Sequence, residues 1–480
     1  MPEERAGRDR TFDRARSRGN RVKVPLQTGG TLAHAGLRTL FAVLEVLQPG
    51  LTAPGWRNLV VLFAGWLRTT DTHSVTEALV VSGVAGKRHH EAFHRFFSRG
   101  TWDPDALGEQ LFGLLLRMLA ADAPIRAVID DTLAPKKGPH VFGIGSHLDA
   151  VRSTRRRLIF CFGHCWVVLA VLVNVPFSQR AFALPLLLRL YRNKKECERK
   201  GQTYRKKTEL ARDLIEVLAS WCGPRRIELT MDSAYCNDTV MNRLPEHIAV
   251  YGAMRPDAVL TDAPLPRRAG RAGRARLRGE VLRKPEALAG DGRTKWQSCK
   301  ALLYGKIRTV QFKTCVAQWY RVCGTRMLRV VVVKVDTGTI GLRVFFCTDL
   351  AVDIPALLEG YAGRWSIEVC FRELKQLLGF ADSSARKQAA VERTAPFVAL
   401  TYSIIVLWAL RSREAIQLAV PPLRPWYPHK KGLCFADLLR AARRATAVMP
   451  IPDRTTASGN LRKPPSPGLA RSQQRFRFAA

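Results

Sequence analysis

Apolar residues recur at three-to-four spacing from about residue 30 to about 120, in LAHAGLRTLFAVLEVL, WRNLVVLFAGWL, THSVTEALVVSGV, HHEAFHRFFSRGTW and DALGEQLFGLLLRML. That period predicts amphipathic helices. From Arg126 the texture changes. IRAVID is a short β-branched run ending in Asp130 and Asp131, and the long apolar stretch from about 158 to 175 reads as buried strand. KTELARDLIEVLASW has helical period, RRIELTMD is a second short strand closed by an acid, Asp232, and HIAVYGAM is a further strand. Strands and helices in this order predict an α/β sheet, with a site along the edge where the acids emerge.

The alternation breaks between about 255 and 348. A Gly, Pro and Arg segment, RRAGRAGRARLRGEVLRK, is followed by the strand-like runs ALLYGKIRTVQFK, QWYRVCG, MLRVVVVKV and LRVFFCTDL. They predict a β-rich insertion in the larger domain. Helical period returns with IPALLEGYAGRWSIEVCFRELKQLLGF and runs to about 445. The chain therefore divides into a basic flexible arm (1–30), a helical N-terminal region (31–122), a first core part (123–254), the insertion (255–350), a second core part (351–448) and a Pro-rich, basic, disordered tail (449–480). The longest apolar run, PFVALTYSIIVLWAL from Pro396 to Leu410, is shorter than the ~20 residues a bilayer helix needs. It reads as a central core helix, and no membrane partner is expected.

Charge narrows the partner. There are 77 Lys and Arg against 40 Asp and Glu, a formal net charge of +37, which calls for a polyanion such as nucleic acid. The stretch from Ser74 to Arg99 has the helix-turn-helix order with a basic end, a candidate DNA reader, although helical hairpins that only pack look the same. The N-terminus is charged throughout and carries no secretory signal. The 11 cysteines are odd in number and sit mostly in apolar stretches, as expected of free thiols in the cytoplasm. CFGHC (Cys161, His164, Cys165) is the nearest approach to a metal cluster, but reads as buried strand. His90 and His94 in HHEAFH read as helix packing rather than as a metal site.

Carboxylates carry the candidate chemistry. Two-metal phosphoryl transfer needs acids from separate elements converging on two divalent ions, and hard ions take oxygen ligands. Asp131 and Asp232 each close a short apolar strand; taken singly, each reads as a turn residue or a cap. Tyr361, Arg364, Glu368 and Lys375 fall within about 60° of arc if one helix carries them. Ile367, Phe371, Leu374 and Leu378 make an apolar face beside them. Glu368 could bind metal there, with Arg364 and Lys375 on flanking phosphates. A solvated face with i,i+4 ion pairs fits this geometry equally well.

YAGRWSIEVCFRELK matches Y-(2)-R-(3)-E-(6)-K at all four positions and resembles the signature of bacterial DDE transposases of the insertion-sequence-four type. DDTLAPKKG resembles the first-aspartate segment of that family, TMDSAY the second, and GAMRPDA, GRARLRG and CTDL…YAGRW the insertion and its return to the core. HRFFSRGTW, FGHCWVV and WYPHKKGLCFADLL bring the chain nearest to the insertion-sequence-seven-hundred-one branch. The resemblance spans about residues 30 to 445. It implies an RNase H-like catalytic core with a β-rich insertion and a helical N-terminal DNA-binding region. It further implies a homodimer acting on paired terminal inverted repeats and on target DNA, in the cytoplasm at the nucleoid, with two Mg²⁺ ions that Mn²⁺ could replace. On the match, Asp131, Asp232 and Glu368 are the catalytic metal ligands, with Asp130 the alternative to Asp131; Tyr361, Arg364 and Lys375 contact DNA. Relatives that form a hairpin stack a flipped base on an insertion Trp, for which Trp296 and Trp319 are the candidates. The implied activity is end cleavage and strand transfer. The rivals are a nuclease on the same core that does not join DNA, and an inactivated copy that only binds it.

Overall fold

The computed structural model describes residues 29–449, except 139, 150, 155, 267–273, 336–341, 422–425, 427–429 and 431. Apart from Gly29 and Gly30, which start the first helix, and Met449, the expected arm and tail lie outside the described residues, as do parts of the Arg-rich and WYPHKKG segments.

The chain opens with helices α1 (Gly29–Leu44), α2 (Ala53–Arg68), α3 (Val75–Val81), α4 (Glu91–Ser98) and α5 (Pro104–Leu116). Short polar side chains start several of them: Thr52 accepts from the Gly55 amide, Ser74 from Glu77, and Asp103 from Asp105. Strands β1 (Ile125–Pro135), β2 (Gly145–Leu148), β3 (Phe160–Val173) and β4 (Phe182–Tyr191) follow, then α6 (Lys194–Arg199), α7 (Lys207–Cys222), β5 (Ile227–Met231), α8 (Asp238–Met241) and β6 (Ile248–Met254). The insertion holds α9 (Pro285–Gly290), β7 (Gln297–Leu303), β8 (Lys306–Gln318), α10 (Tyr320–Cys323), β9 (Met327–Val335) and β10 (Arg343–Cys347). Helices α11 (Ile354–Ala362), α12 (Trp365–Leu377), α13 (Gln388–Arg411), α14 (Arg413–Ala419) and α15 (Phe435–Ala447) complete the fold.

The ten strands among the described residues form one mixed sheet. Its order is β2-β3-β1-β5-β6-β10-β9-β8-β7, with β4 also on β3. Antiparallel β1–β3 and β3–β4 pairs beside parallel β1–β5 and β5–β6 pairs make the RNase H-like arrangement. The expected insertion is β-rich, but its strands extend the core sheet through the antiparallel β10–β6 pair.

The N-terminal helices share a core with the C-terminal ones. Trp66 donates its indole N–H to the Leu378 carbonyl at 2.9 Å, and Trp408 donates to Thr39 Oγ1 at 2.9 Å. Arg393 holds the carbonyls of Phe97 and Trp102. The run 396–410 lies in α13, where Tyr402 and Trp408 are wholly enclosed. α13 is long and apolar enough to cross a membrane, but 89% of its apolar window is buried inside the fold. His90 and His94, expected to pack, are instead exposed and touch each other at 5.8 Å between ring centroids.

Two glycines give opposite expectations for one substitution. A Cβ on Gly65 would sit 2.1 Å from the Ala78 carbonyl oxygen, where α2 meets α3, whereas a Cβ on Gly113 meets nothing within 4 Å. Gly113→Ala in α5 should therefore stabilise by up to ~1 kcal/mol through helix propensity. Gly65→Ala should destabilise by about 1–3 kcal/mol through overpacking. Urea denaturation of the two variants tests this, and a stabilised Gly65→Ala would refute the tight α2–α3 contact.

Candidate active site

Pairing places the acids. In the parallel β1–β5 ladder Ile129 stands opposite Met231, and β5 ends there. The next residues are Asp130 and Asp232, so these two come level at the carboxyl end of the ladder, where α/β sheets form their sites. Strand side chains alternate, so Asp130 and Asp131 point to opposite faces. Contrary to the sequence reading, Asp131 does not close its strand: β1 continues to Pro135, paired with β3.

On one face Asp130 meets Arg364. One guanidinium nitrogen donates to Asp130 Oδ2 at 2.7 Å and another to Glu368 Oε1 at 2.7 Å. Arg364 is held between Asp130 and Glu368, and its own side chain is only 17% exposed. Burial, against the pull of Arg364 and of the Asp131 amide, pushes the Asp130 carboxyl up to about 7, with the charges of Asp131 and Asp232 adding to the rise. Burial opposes the charge on Arg364, yet Asp130 and Glu368 raise its affinity for the proton overall.

On the other face Asp131 is fully engaged. Tyr235 donates its hydroxyl to Oδ1 at 2.8 Å, and Lys207 on α7 donates to Oδ2 at 2.7 Å. Cys165 Sγ lies 3.4 Å from the same oxygen. The Cys165 thiol is pushed up to about 12, by burial first and then by Asp131. Tyr235 is buried and belongs to the turn that opens with Asp232, so the Asp131–Tyr235 bond ties β1 to that turn. Asp232 itself accepts from the Ser233 hydroxyl at 2.8 Å. Sequence spacing did not single out Lys207 or Cys165; Tyr235 was present in TMDSAY, but nothing in one dimension marks it as a partner of Asp131.

The helix expected to carry all four signature residues is broken. α11 ends at Ala362 and α12 begins at Trp365, with Gly363 and Arg364 between them. Tyr361 therefore sits on α11, packs against Phe345 with centroids 4.7 Å apart, and has its hydroxyl pushed up to about 12 by burial. Lys375 lies two turns beyond Glu368 on α12, and burial lowers its pKa. Glu373 is buried and taken by Arg180 and Tyr402 at 2.8 and 2.9 Å.

A cleft of about 580 Å³ opens beside the acids, lined by Asp232, Tyr361, Arg364 and, from the insertion, Tyr304 and Phe345. Trp296 lies under Lys313 and Trp319 against Phe346; neither lines that cleft. The exposed aromatics beside it are Tyr304 and Trp365, edge to face at 6.3 Å. In the CFGHC segment, His164 bonds the Phe142 carbonyl at 2.9 Å, and burial lowers its pKa to about 4. Among the described residues, no three His, Cys, Asp or Glu side chains approach closely enough to hold a metal ion.

Comparison with known proteins gives one family match. The family described as DDE superfamily endonuclease matches residues 46–318, more than half of the chain, and stops short of Glu368. No curated protein matches. Among solved structures, a piggyBac transposase synaptic complex with hairpin DNA is 9% identical, with a TM-score of 0.37 over 87% of this chain and 79% of that one. A likeness that loose carries no argument.

Because its pKa is raised in the fold, Asp130 contributes stability below its ordinary value of 3.8 and loses it as pH rises through about 7. In metal-free protein, Asp130→Asn should gain on the wild type between pH 5 and pH 8, by on the order of a few kcal/mol. Parallel denaturation midpoints across that range would contradict the buried, raised carboxyl.

Proposed function

The chain belongs to the DDE superfamily of endonucleases, and on that premise we propose that it is a DNA transposase of the insertion-sequence type. It cuts at the ends of its element and joins them to target DNA. The observation that carries this reading is Arg364 bridging Asp130 and Glu368, with Asp232 level with Asp130 at the carboxyl end of the β1–β5 ladder. The net charge of +37 supplies the attraction to DNA.

The donor set suits Mg²⁺, with Mn²⁺ as a substitute, because every candidate ligand is a carboxylate oxygen. Asp130, Asp232 and Glu368 would hold the ions. Two such ions held there would supply activation of the attacking oxygen and stabilisation of the leaving one. Arg364 now neutralises Asp130 and Glu368 from between them, so loading requires it to turn aside, and a backbone phosphate is its natural new partner. This assignment moves the first ligand from Asp131 to Asp130. Asp131 keeps a supporting part, holding the Asp232 turn through Tyr235 while Lys207 balances its charge.

Tyr304 and Trp365 offer a stacking surface for an unpaired base next to the cut, a part the sequence had given to Trp296 or Trp319. Action as a homodimer on paired inverted repeats, in the cytoplasm where the free thiols stay reduced, completes the reading.

Cleavage of a labelled duplex carrying the element's terminal repeats, with Mg²⁺, tests it. Asp130→Asn, Asp232→Asn and Glu368→Gln should each lower cleavage roughly 10³-fold or more, the scale of losing an essential charged group, while retaining DNA binding. Asp131→Asn should keep measurable cleavage. The reverse pattern, with Asp130→Asn active and Asp131→Asn dead, would return the ligand role to Asp131. Cleaved 3′ ends that never join a target would make the protein a nuclease, and binding without cleavage an inactivated copy.

A further inference from the structure

A second cleft, of about 340 Å³, lies between the N-terminal helices and the segment that leads from α12 into α13. Thr76 of α3 and His94 of α4 stand on one wall; Ser384, Arg386 and Lys387 stand on the other. No carboxylate lines it. Elsewhere, most of the better-buried arginines are paired or hydrogen-bonded: Arg180 with Glu373, Arg189 with Asp105, Arg364 with Asp130 and Glu368. Arg386 and Lys387 are exposed, and among the described residues no acid pairs with either. Hydroxyls, an imidazole and two unpaired cations around one opening form a donor set for an anion.

The cleft is fastened to the strand that carries the acids. Lys136, just past the end of β1, donates its ammonium to the carbonyls of Ala381 and Ser383 at 2.8 and 2.6 Å. The Phe142 amide donates to the Arg386 carbonyl at 2.9 Å. Lys136 is six residues along the chain from Asp130, at most roughly 20 Å at the rise of a strand. With one nucleotide per ~3.4 Å of duplex axis, the distance from the acids to Lys136, which anchors this wall of the cleft, is at most about six base pairs.

We propose that this cleft grips a backbone phosphate of the DNA, using one wall from the N-terminal helices and one from the catalytic core. The inference rests on the reading of the protein as a DNA-cutting enzyme. It adds to that reading where the duplex lies: across the junction of the two regions rather than on the α3–α4 pair alone. A phosphate contact positions the duplex and reads no sequence.

The test uses the full chain with Glu368→Gln, metal-free, and a fluorescent 30-base-pair duplex of arbitrary sequence, with affinity measured against salt. Arg386→Ala with Lys387→Ala should weaken binding at least tenfold and flatten the plot of log affinity against log salt by about 0.9 per lost contact, close to 2 in all. Thr76→Asp should weaken it too, though an acid in the first turn of α3 favours that helix and leaves folding intact. Arg386→Lys with Lys387→Arg should keep the wild-type slope. An unchanged slope in the alanine variant, or full affinity in Thr76→Asp, overturns the cleft and leaves the proposed function standing. Parent protein that fails to bind the duplex at all overturns the function instead. If inorganic phosphate raises the melting temperature of the parent but not of the alanine variant, while duplex affinity is equal, the cleft takes a free anion and not DNA.

Discussion

The parallel pairing of β1 with β5 is the constraint on which the site depends. Because Ile129 and Met231 are partners and β5 ends at once, two acids about a hundred residues apart in sequence come level at one edge. Carboxylates so placed repel one another. On the side of Asp130 the structure answers with a guanidinium, Arg364, which bonds both Asp130 and Glu368 of α12. Its planar fork suits that bridging, which a point charge such as Lys would not reproduce.

The neighbouring acids on β1 then have different duties because a strand alternates. Asp130 faces α12 and keeps a raised affinity for its proton, the usual consequence of burial among other acids. Asp131 faces α7, where Lys207 and Tyr235 satisfy it. The buried Tyr235 hydroxyl makes Asp131 a brace for the turn that starts at Asp232. One face of the strand turns to Arg364 on α12's side, and the other holds the turn after β5.

The helical ends of the chain close around α13. Its apolar surface is too wide for one partner, and helices from both termini cover it, joined by indole and guanidinium bonds to backbone carbonyls. The N-terminal region is therefore fixed against the catalytic core and not tethered beside it. The distance from the first helices to the acids is thus set by the fold.

By itself the sequence determined the α/β class, the helical beginning, the β-rich stretch after residue 255 and the three segments that hold the acids. Those follow from local period and residue type, which short windows contain. It also marked Arg364 and Glu368 as a pair, since i,i+4 spacing is local. Tertiary structure alone decided which of Asp130 and Asp131 joins that pair, because the choice turns on which face of β1 meets α12. It decided that the insertion extends the core sheet through β10 and β6, since strand partners are chosen across the fold and not along the chain. And it broke the expected single helix at Gly363 and Arg364, with Arg364 turned inward between the distant Asp130 and its own neighbour Glu368, a partner across the fold that no local window contains.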